Sequence, residues 1–106
     1  MSMKRLAFIM YVYPEKVEEY IKQHDQLWPE MKEALKEHGA SNYSIFLEKE
    51  TSRLFAYLEI ESEERWQQMA STSINQKWWE AMAPLMETKE DKSPVTTPLE
   101  EVFHLD

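Results

Sequence analysis

The sequence predicts an α+β fold in which helices cover one face of an antiparallel sheet. Two observations predict it. Runs rich in aromatic and β-branched residues, typical of strands, occur at residues 4–13, 40–48 and 53–61. Stretches with apolar residues at three- and four-residue steps, typical of amphipathic helices, lie between and after them. With 106 residues the chain has the usual size of one domain, and we expect a single domain over residues 1–106.

The first predicted strand, residues 4–13, is apolar on both of its faces. One face carries Leu6, Phe8, Met10 and Val12, and the other carries Ala7, Ile9, Tyr11 and Tyr13. A strand that is wet on one side would alternate polar and apolar residues. We therefore expect both faces of the sheet to be covered, the second by the same face of another copy in a twofold homodimer.

A helical pattern follows from Pro14 to His38, and proline is favoured in the first turn of a helix. Its apolar residues form one stripe that should face the interior: Val17, Tyr20, Ile21, His24, Trp28, Met31 and Leu35. Pro29 removes a backbone hydrogen bond within this pattern, so we expect a kink or break near residues 25–28. Gly39 is placed to end the helix in the left-handed conformation.

The remaining elements complete the order. The strands at 40–48 and 53–61 should form an antiparallel hairpin because their connection is short. Ser62 is predicted to cap a short helix, and Ser73 with Gln76 fits a capping box that opens a helix over residues 74–83, ended by Pro84. Residues 87–98 are polar and proline-punctuated, which predicts a loop, and residues 99–105 predict a closing strand. The order is β-α-β-β-α-β, the ferredoxin-like arrangement.

Composition excludes several classes of function. With 20 acidic and 12 basic residues the net charge is −8, and no basic stripe is present, so nucleic acid is not an expected partner. The lack of cysteine excludes a disulfide framework and any site that depends on a thiolate. No apolar run has the length needed to span a bilayer, and no cleavage site follows the first strand. We expect a cytoplasmic protein with no membrane partner.

His24 and Tyr20 are the first candidates for chemistry, because helical residues four apart are neighbours and can touch one small ligand. A histidine on an apolar stripe is most often a core or interface residue with a satisfied hydrogen bond. Alternatively, its ordinary pKa of about 6.5 lets it act as a general acid or base. His38 and His104 are less suggestive. No histidine pair has the spacing of metal ligands, so no metal is expected.

Trp78 and Trp79 point about 100° apart on a helix, so both cannot lie in one narrow core stripe. They can serve as core and dimer contacts. Alternatively, they provide a flat apolar surface for the C–H face of a sugar, with an N–H for a hydroxyl. Tyr43 has the same two interpretations. No glycine-rich phosphate loop or Walker-type lysine is present, which argues against a nucleotide cofactor.

Six short motifs stand out: Tyr20-x-x-x-His24-x-x-x-Trp28-Pro29-Glu30, His38-Gly39-Ala40 with Asn42-Tyr43, residues 60–66, Ala70-Ser71-Thr72, Trp78-Trp79 and Ser93-Pro94-Val95. In this order and at these spacings the chain, from Arg5 to Leu105, resembles the L-rhamnose mutarotase family. The resemblance implies a dimeric α+β barrel that interconverts the α and β anomers of L-rhamnose. Anomerisation requires only acid–base catalysis, so we expect no cofactor and no metal. It further implies that His24 is the proton donor and that the sugar is bound by Tyr20, Tyr43, Trp78 and Trp79.

Two positions depart from the family's pattern. Asp25 stands where asparagine is frequent, and Lys92 precedes Ser93 where asparagine is common; both bear on hydrogen bonding at the rim and on substrate preference. We expect His24 to protonate the ring oxygen, with Tyr20 or an ordered water handling the anomeric hydroxyl proton. The alternatives are a mutarotase for another sugar, a cofactor-free oxygenase of the same fold, or a non-catalytic sugar-binding module.

Overall fold

The computed structural model describes residues 3–106. It has the predicted element order, and two helices occupy each of the two helical positions in that order. The elements are β1 (Lys4–Tyr11), α1 (Val17–Asp25), α2 (Pro29–Glu37), β2 (Ala40–Glu48), β3 (Arg53–Ile60), α3 (Glu63–Met69), α4 (Ser73–Met82) and β4 (Thr97–Leu99). The strands form one antiparallel sheet in the order β2-β3-β1-β4. The predicted α+β, ferredoxin-like fold is confirmed.

The strand register divides the sheet into a face covered by the helices and an open face. On the covered face, Leu54 of β3 lies between Met10 of β1 and Leu47 of β2. Leu58 and Ile60, further along β3 on the same face, are completely buried. The core therefore lies between β3, at the centre of this face, and the helices.

The open face carries an apolar band, as expected from the two-sided pattern of the first strand, and charged residues such as Arg5, Arg53 and Glu59 lie beside this band. Its central row runs from Phe46 through Phe55 and Ile9 to Thr97. Phe46 is 66% exposed, so the β2 end of this row faces solvent in the described chain. The apolar surface expected to bind a second copy is thus present.

Pro29 divides the predicted first helix into α1 and α2. Trp28 has φ −58° and ψ 134°, the extended conformation that a residue preceding proline favours. Gly39 has φ +83° and follows the end of α2, as predicted. The stripe of apolar residues faces inward apart from Ile21, which is 49% exposed.

The predicted capping box of the last helix was wrong. Thr72 is the cap, since its Oγ1 accepts a hydrogen bond from the backbone N–H of Asn75 at 3.3 Å. Gln76 donates to the carbonyl oxygen of Ala70 instead of reaching back to Ser73. The helix ends at Met82, and Pro84 lies in a single 3₁₀ turn that follows.

The predicted extent of the first and last strands was also wrong. The last strand covers Thr97–Leu99, and residues 100–106 are exposed without regular structure. A strand needs a neighbouring edge for its hydrogen bonds, and β4 meets β1 only between Ala7 and Ile9. β1 ends at Tyr11, and Val12 makes an isolated bridge to Met86. None of the helices within residues 3–106 has both the length and the apolarity to cross a membrane.

Candidate active site

A cavity of about 840 Å³ lies between the covered face of the sheet and the helices. Its wall is mostly apolar and comes from β1, β2, β3, all four helices and residues 89–96. The five residues singled out in the sequence all line it: Tyr20, His24, Tyr43, Trp78 and Trp79. A volume of a few hundred to about 1,000 Å³ is typical of small-molecule sites. The structure thus brings the candidates together in one cavity large enough for a monosaccharide.

The orientation of His24 is set by its own helix. Nδ1 lies 3.0 Å from the carbonyl oxygen of Tyr20, one turn earlier in α1. A carbonyl oxygen only accepts, so Nδ1 carries a proton and donates it. In the neutral ring the lone pair is therefore on Nε2, which makes no hydrogen bond within residues 3–106. Nε2 is the nitrogen free to exchange a proton with a ligand in the cavity.

Aromatic rings hold the imidazole in place. The ring of Tyr20 lies 4.2 Å from that of His24, tilted by 30°. Trp78 meets His24 edge-on at 5.2 Å, and Trp28 meets Trp78 edge-on at 5.1 Å. Such pairs are favourable beyond the area they bury. Trp28 does not line the cavity, and it acts on the site through Trp78, against which its ring packs.

Burial lowers the pKa of His24 below the usual 6.5, because the charged ring loses hydration. The hydrogen bond to Tyr20 and the charge of Asp25 raise it, but their effects are smaller. At neutral pH the ring is therefore uncharged and Nε2 is a proton acceptor. It becomes a proton donor only after it has taken a proton.

A pH dependence follows from this lowered pKa. In the unfolded chain the histidine titrates near 6.5, so just below that pH the unfolded state binds more protons than the folded state. The stability contribution is fully present above about pH 6.5 and should be lost as the pH falls toward the folded pKa. The exchange rate should fall at the lower end of this range, as the pH passes through the folded pKa, since protonated Nε2 cannot accept a proton.

Thermal unfolding and rate measurements from about pH 5 to 7.5 check this. The loss of stability at acidic pH should be smaller in His24→Gln than in the wild type. An equal loss in both proteins would contradict the lowered pKa.

Tyr20 and Tyr43 supply neutral hydroxyls. Burial raises the pKa of Tyr20 well above 10, and desolvation of its hydroxyl raises the pKa of Tyr43 to about 12. Tyr43 is 37% exposed as a residue, so the desolvation concerns the hydroxyl and not the whole ring. Both phenols remain protonated at neutral pH and can donate hydrogen bonds to a ligand. Neither is suited to take up a proton.

The two adjacent tryptophans differ in burial. Trp78 is 6% exposed and packs in the core with Met82, whereas Trp79 is half-buried. Both line the cavity, and neither indole N–H makes a hydrogen bond within residues 3–106. They provide apolar ring surface and free donors in the same wall.

The two departures from the family pattern lie in different places. Asp25 lines the cavity, whereas Lys92 does not and instead takes a positive φ of 73° in the turn of the 87–96 loop. Lys89 of the same loop lines the cavity and was not singled out in the sequence. The rim therefore carries one carboxylate and one ammonium group that a polar ligand would meet.

The other histidines lie outside the cavity. His38 donates from Nδ1 to the carbonyl oxygen of Ala34 at 2.8 Å, and His104 pairs with Asp106 in the exposed tail at 2.9 Å. No three His, Asp or Glu side chains within the described part of the chain stand close enough together to hold a metal ion.

Comparisons of the sequence and of the structure with known proteins point to the same family. Residues 5–105 match the family described as L-rhamnose mutarotase. The chain is 62% identical over 104 residues to the L-rhamnose mutarotase of Oceanobacillus iheyensis, covering 98% of this chain and 100% of that protein. It is similar to the crystal structure of an L-rhamnose mutarotase from Formosa agariphila, with a TM-score of 0.89 and 44% identity over 97% and 99% of the two chains. A dimeric ferredoxin-like protein from an uncultured marine organism shares the fold, with a TM-score of 0.67 and 14% identity over 99% of each chain.

Proposed function

The chain belongs to the L-rhamnose mutarotase family, and on that premise we propose that it interconverts the α and β anomers of L-rhamnose with His24 as the proton-transfer residue. The observation that carries this is the free Nε2 of a neutral imidazole in the aromatic wall of a cavity of monosaccharide size. The isomerisation requires only proton transfer, so the proposal includes no cofactor and no metal.

The charge state of His24 sets the order of events. Neutral Nε2 takes the proton of the anomeric hydroxyl. A water, which we propose to be held by the tyrosine hydroxyls, protonates the ring oxygen, and the hydroxide left behind takes this proton back when the ring closes. The C1–O5 bond breaks and yields the open-chain aldehyde, which rotates about the C1–C2 bond. Closure reverses the transfers, and imidazolium His24 now returns its proton. The imidazole is thus acceptor and donor in one cycle, whereas the resemblance implied only the donor.

The wall of the cavity suits a deoxy sugar. L-rhamnose has three ring hydroxyls beside the anomeric one and an apolar methyl group at C5. Trp78 and Trp79 can cover the methyl and the C–H face, while their N–H groups and the hydroxyls of Tyr20 and Tyr43 serve the sugar oxygens. These four side chains are proposed to bind the sugar, as the resemblance implied.

Saturation-transfer NMR distinguishes this function from its alternatives. Irradiating the α-anomer proton of L-rhamnose should reduce the β-anomer signal at concentrations of protein where the unassisted exchange is too slow to transfer saturation. A mutarotase for another sugar would give transfer with a different aldose and little with L-rhamnose. A binding module would bind without transfer, and a cofactor-free oxygenase would consume oxygen with a quinol-type substrate.

We also propose that two copies associate through the open sheet face. Phe46, Phe55 and Leu99 lie on this face, and the exposed apolar residues Val102 and Phe103 follow directly in the tail. Exposed apolar side chains on a sheet face favour an interaction site, and a self-complementary face closes as a twofold dimer. The dimeric ferredoxin-like protein from an uncultured marine organism, which shares this fold, supports the proposal.

A single domain over 1–106 and the cytoplasmic location stay predictions from the sequence.

Sedimentation equilibrium tests the dimer. The wild type should have twice the mass of one chain, and Phe46→Glu should shift it to monomer at micromolar concentration because it buries an unpaired charge in the interface. Gln68→Glu on α3 adds the same charge to an exposed helix and should leave the dimer intact. A wild type that sediments as a monomer would contradict the proposal.

A further inference from the structure

Asn75 is a polar residue in the cavity wall to which neither the sequence motifs nor the proton transfer assigns a role. It lies in the first turn of α4 and is only 5% exposed. Its backbone N–H is bound by Thr72 Oγ1, which fixes the residue at the start of the helix. Its side chain lines the same cavity as His24.

The side-chain amide of Asn75 makes no hydrogen bond within residues 3–106. No completely buried side-chain nitrogen or oxygen in the described chain lacks a partner. The amide has no partner and is not completely buried, so its polar atoms are accessible. Because Asn75 lines the cavity, we take the cavity to be the space to which they are accessible. An amide with two donors and one acceptor oxygen in an apolar wall is a site for a polar ligand.

The position of Asn75 on the helix places it beside the tryptophans. Trp78 and Trp79 follow at three and four residues, so the three side chains are neighbours on one side of α4. A sugar ring that lies against an indole would present the hydroxyls at its edge to the adjacent amide. An amide can donate to one hydroxyl and accept from the next, which matches a pair of neighbouring hydroxyls on a pyranose.

We infer that Asn75 is a specificity-determining residue that hydrogen-bonds two neighbouring ring hydroxyls of the sugar from the first turn of α4. The inference rests on the proposed function for the identity of the sugar, but not on the role of His24. Because the amide has no hydrogen-bond partner within residues 3–106, its removal should weaken binding without weakening the fold.

The test compares Asn75→Leu, which has nearly the same size, with Gln76→Leu, an adjacent amide that lies outside the cavity. Dissociation constants for L-rhamnose and its 2-, 3- and 4-deoxy analogues are measured by tryptophan fluorescence. Wild type and Gln76→Leu should bind the two deoxy analogues that each lack one of these neighbouring hydroxyls about 10-fold more weakly than L-rhamnose. Asn75→Leu should bind L-rhamnose at least about 10-fold more weakly, and the differences from both analogues should disappear.

The melting temperature provides a readout that a structural role would not give. Replacing a partnerless polar group by an apolar one in an apolar wall should leave the melting temperature of Asn75→Leu unchanged or higher. If Asn75→Leu does not fold, Asn75→Asp serves instead, because it keeps the shape of the side chain and removes its N–H donor. This variant should no longer distinguish L-rhamnose from the analogue that lacks the hydroxyl to which the amide donates. An unchanged ratio between L-rhamnose and every analogue in the variant would overturn the inference.

Saturation transfer on the wild type keeps this result separate from the proposed function. Transfer on L-rhamnose with binding that does not depend on Asn75 would overturn the inference alone. Binding that depends on Asn75 without any transfer would overturn the mutarotase proposal alone. A wild type that neither binds nor exchanges L-rhamnose would overturn both.

Discussion

Replacing His24 by glutamine is expected to lower kcat for anomer exchange by about 10²–10⁴-fold, the usual contribution of a positioned acid–base group. The physical reason is that Nε2 is the free nitrogen of the imidazole and glutamine cannot accept and return a proton near neutral pH. KM should change much less, because the tyrosine hydroxyls and the indoles remain. The measurement is saturation-transfer NMR on L-rhamnose with each protein at the same concentration.

The chain contains a matched control for this substitution. His38 makes the same bond from Nδ1 to the carbonyl oxygen four residues earlier, but it caps the C-terminal end of α2 and lies outside the cavity. His38→Gln should therefore keep the exchange rate of the wild type within about twofold, well inside the effect expected for an acid–base group. Equal rates in His24→Gln and the wild type would show that His24 has no part in the mechanism. The membership of the chain in its family would not be affected.

Replacing Trp78 by alanine is expected to cost about 3–5 kcal/mol of stability, the usual cost of truncating a buried tryptophan. Trp78 is almost completely buried, and its ring contacts both His24 and Trp28 edge-on. The substitution leaves a hole in the core and removes the ring that holds the imidazole in place. Urea unfolding should show a lower midpoint, and sugar binding should weaken in the protein that remains folded.

Trp79→Ala separates the two effects of Trp78→Ala. Trp79 is half-buried and lines the same cavity, so its truncation should cost clearly less stability while still weakening sugar binding. Guanidinium or urea midpoints together with fluorescence titration of the remaining tryptophans distinguish the variants. Similar losses of stability in the two variants would show that Trp78 does not stabilise the core more than Trp79 does.

The elements of this fold were predictable where the local chemistry is unambiguous. Pro29 predicts the break between α1 and α2, and Gly39 predicts the left-handed residue after α2, because few other residues suit these conformations. The range of β2 was predicted without error, since it begins directly after that glycine. The extent of the last strand was not predictable, because a strand depends on the edge that it meets and not only on its own residues.

The candidate site was predictable in its residues but not in its geometry. Helical spacing predicts that Tyr20 and His24 are neighbours, and the structure places them at one cavity wall. Spacing cannot show which imidazole nitrogen is bound, so the neutral state of His24 was found only from the fold. Asn75 was missed because its place in the cavity wall depends on how α4 approaches α1, which is a matter of tertiary packing.

Nitrogen-15 NMR of the His24 imidazole tests the central claim most directly, with His24→Gln used to assign its signals. At neutral pH, we expect the neutral ring with its proton on Nδ1, a midpoint below 6.5, and a shift of the Nε2 resonance on addition of L-rhamnose. A ring that carries its proton on Nε2, or an Nε2 resonance that saturating L-rhamnose leaves unchanged while anomer exchange proceeds, would contradict the account.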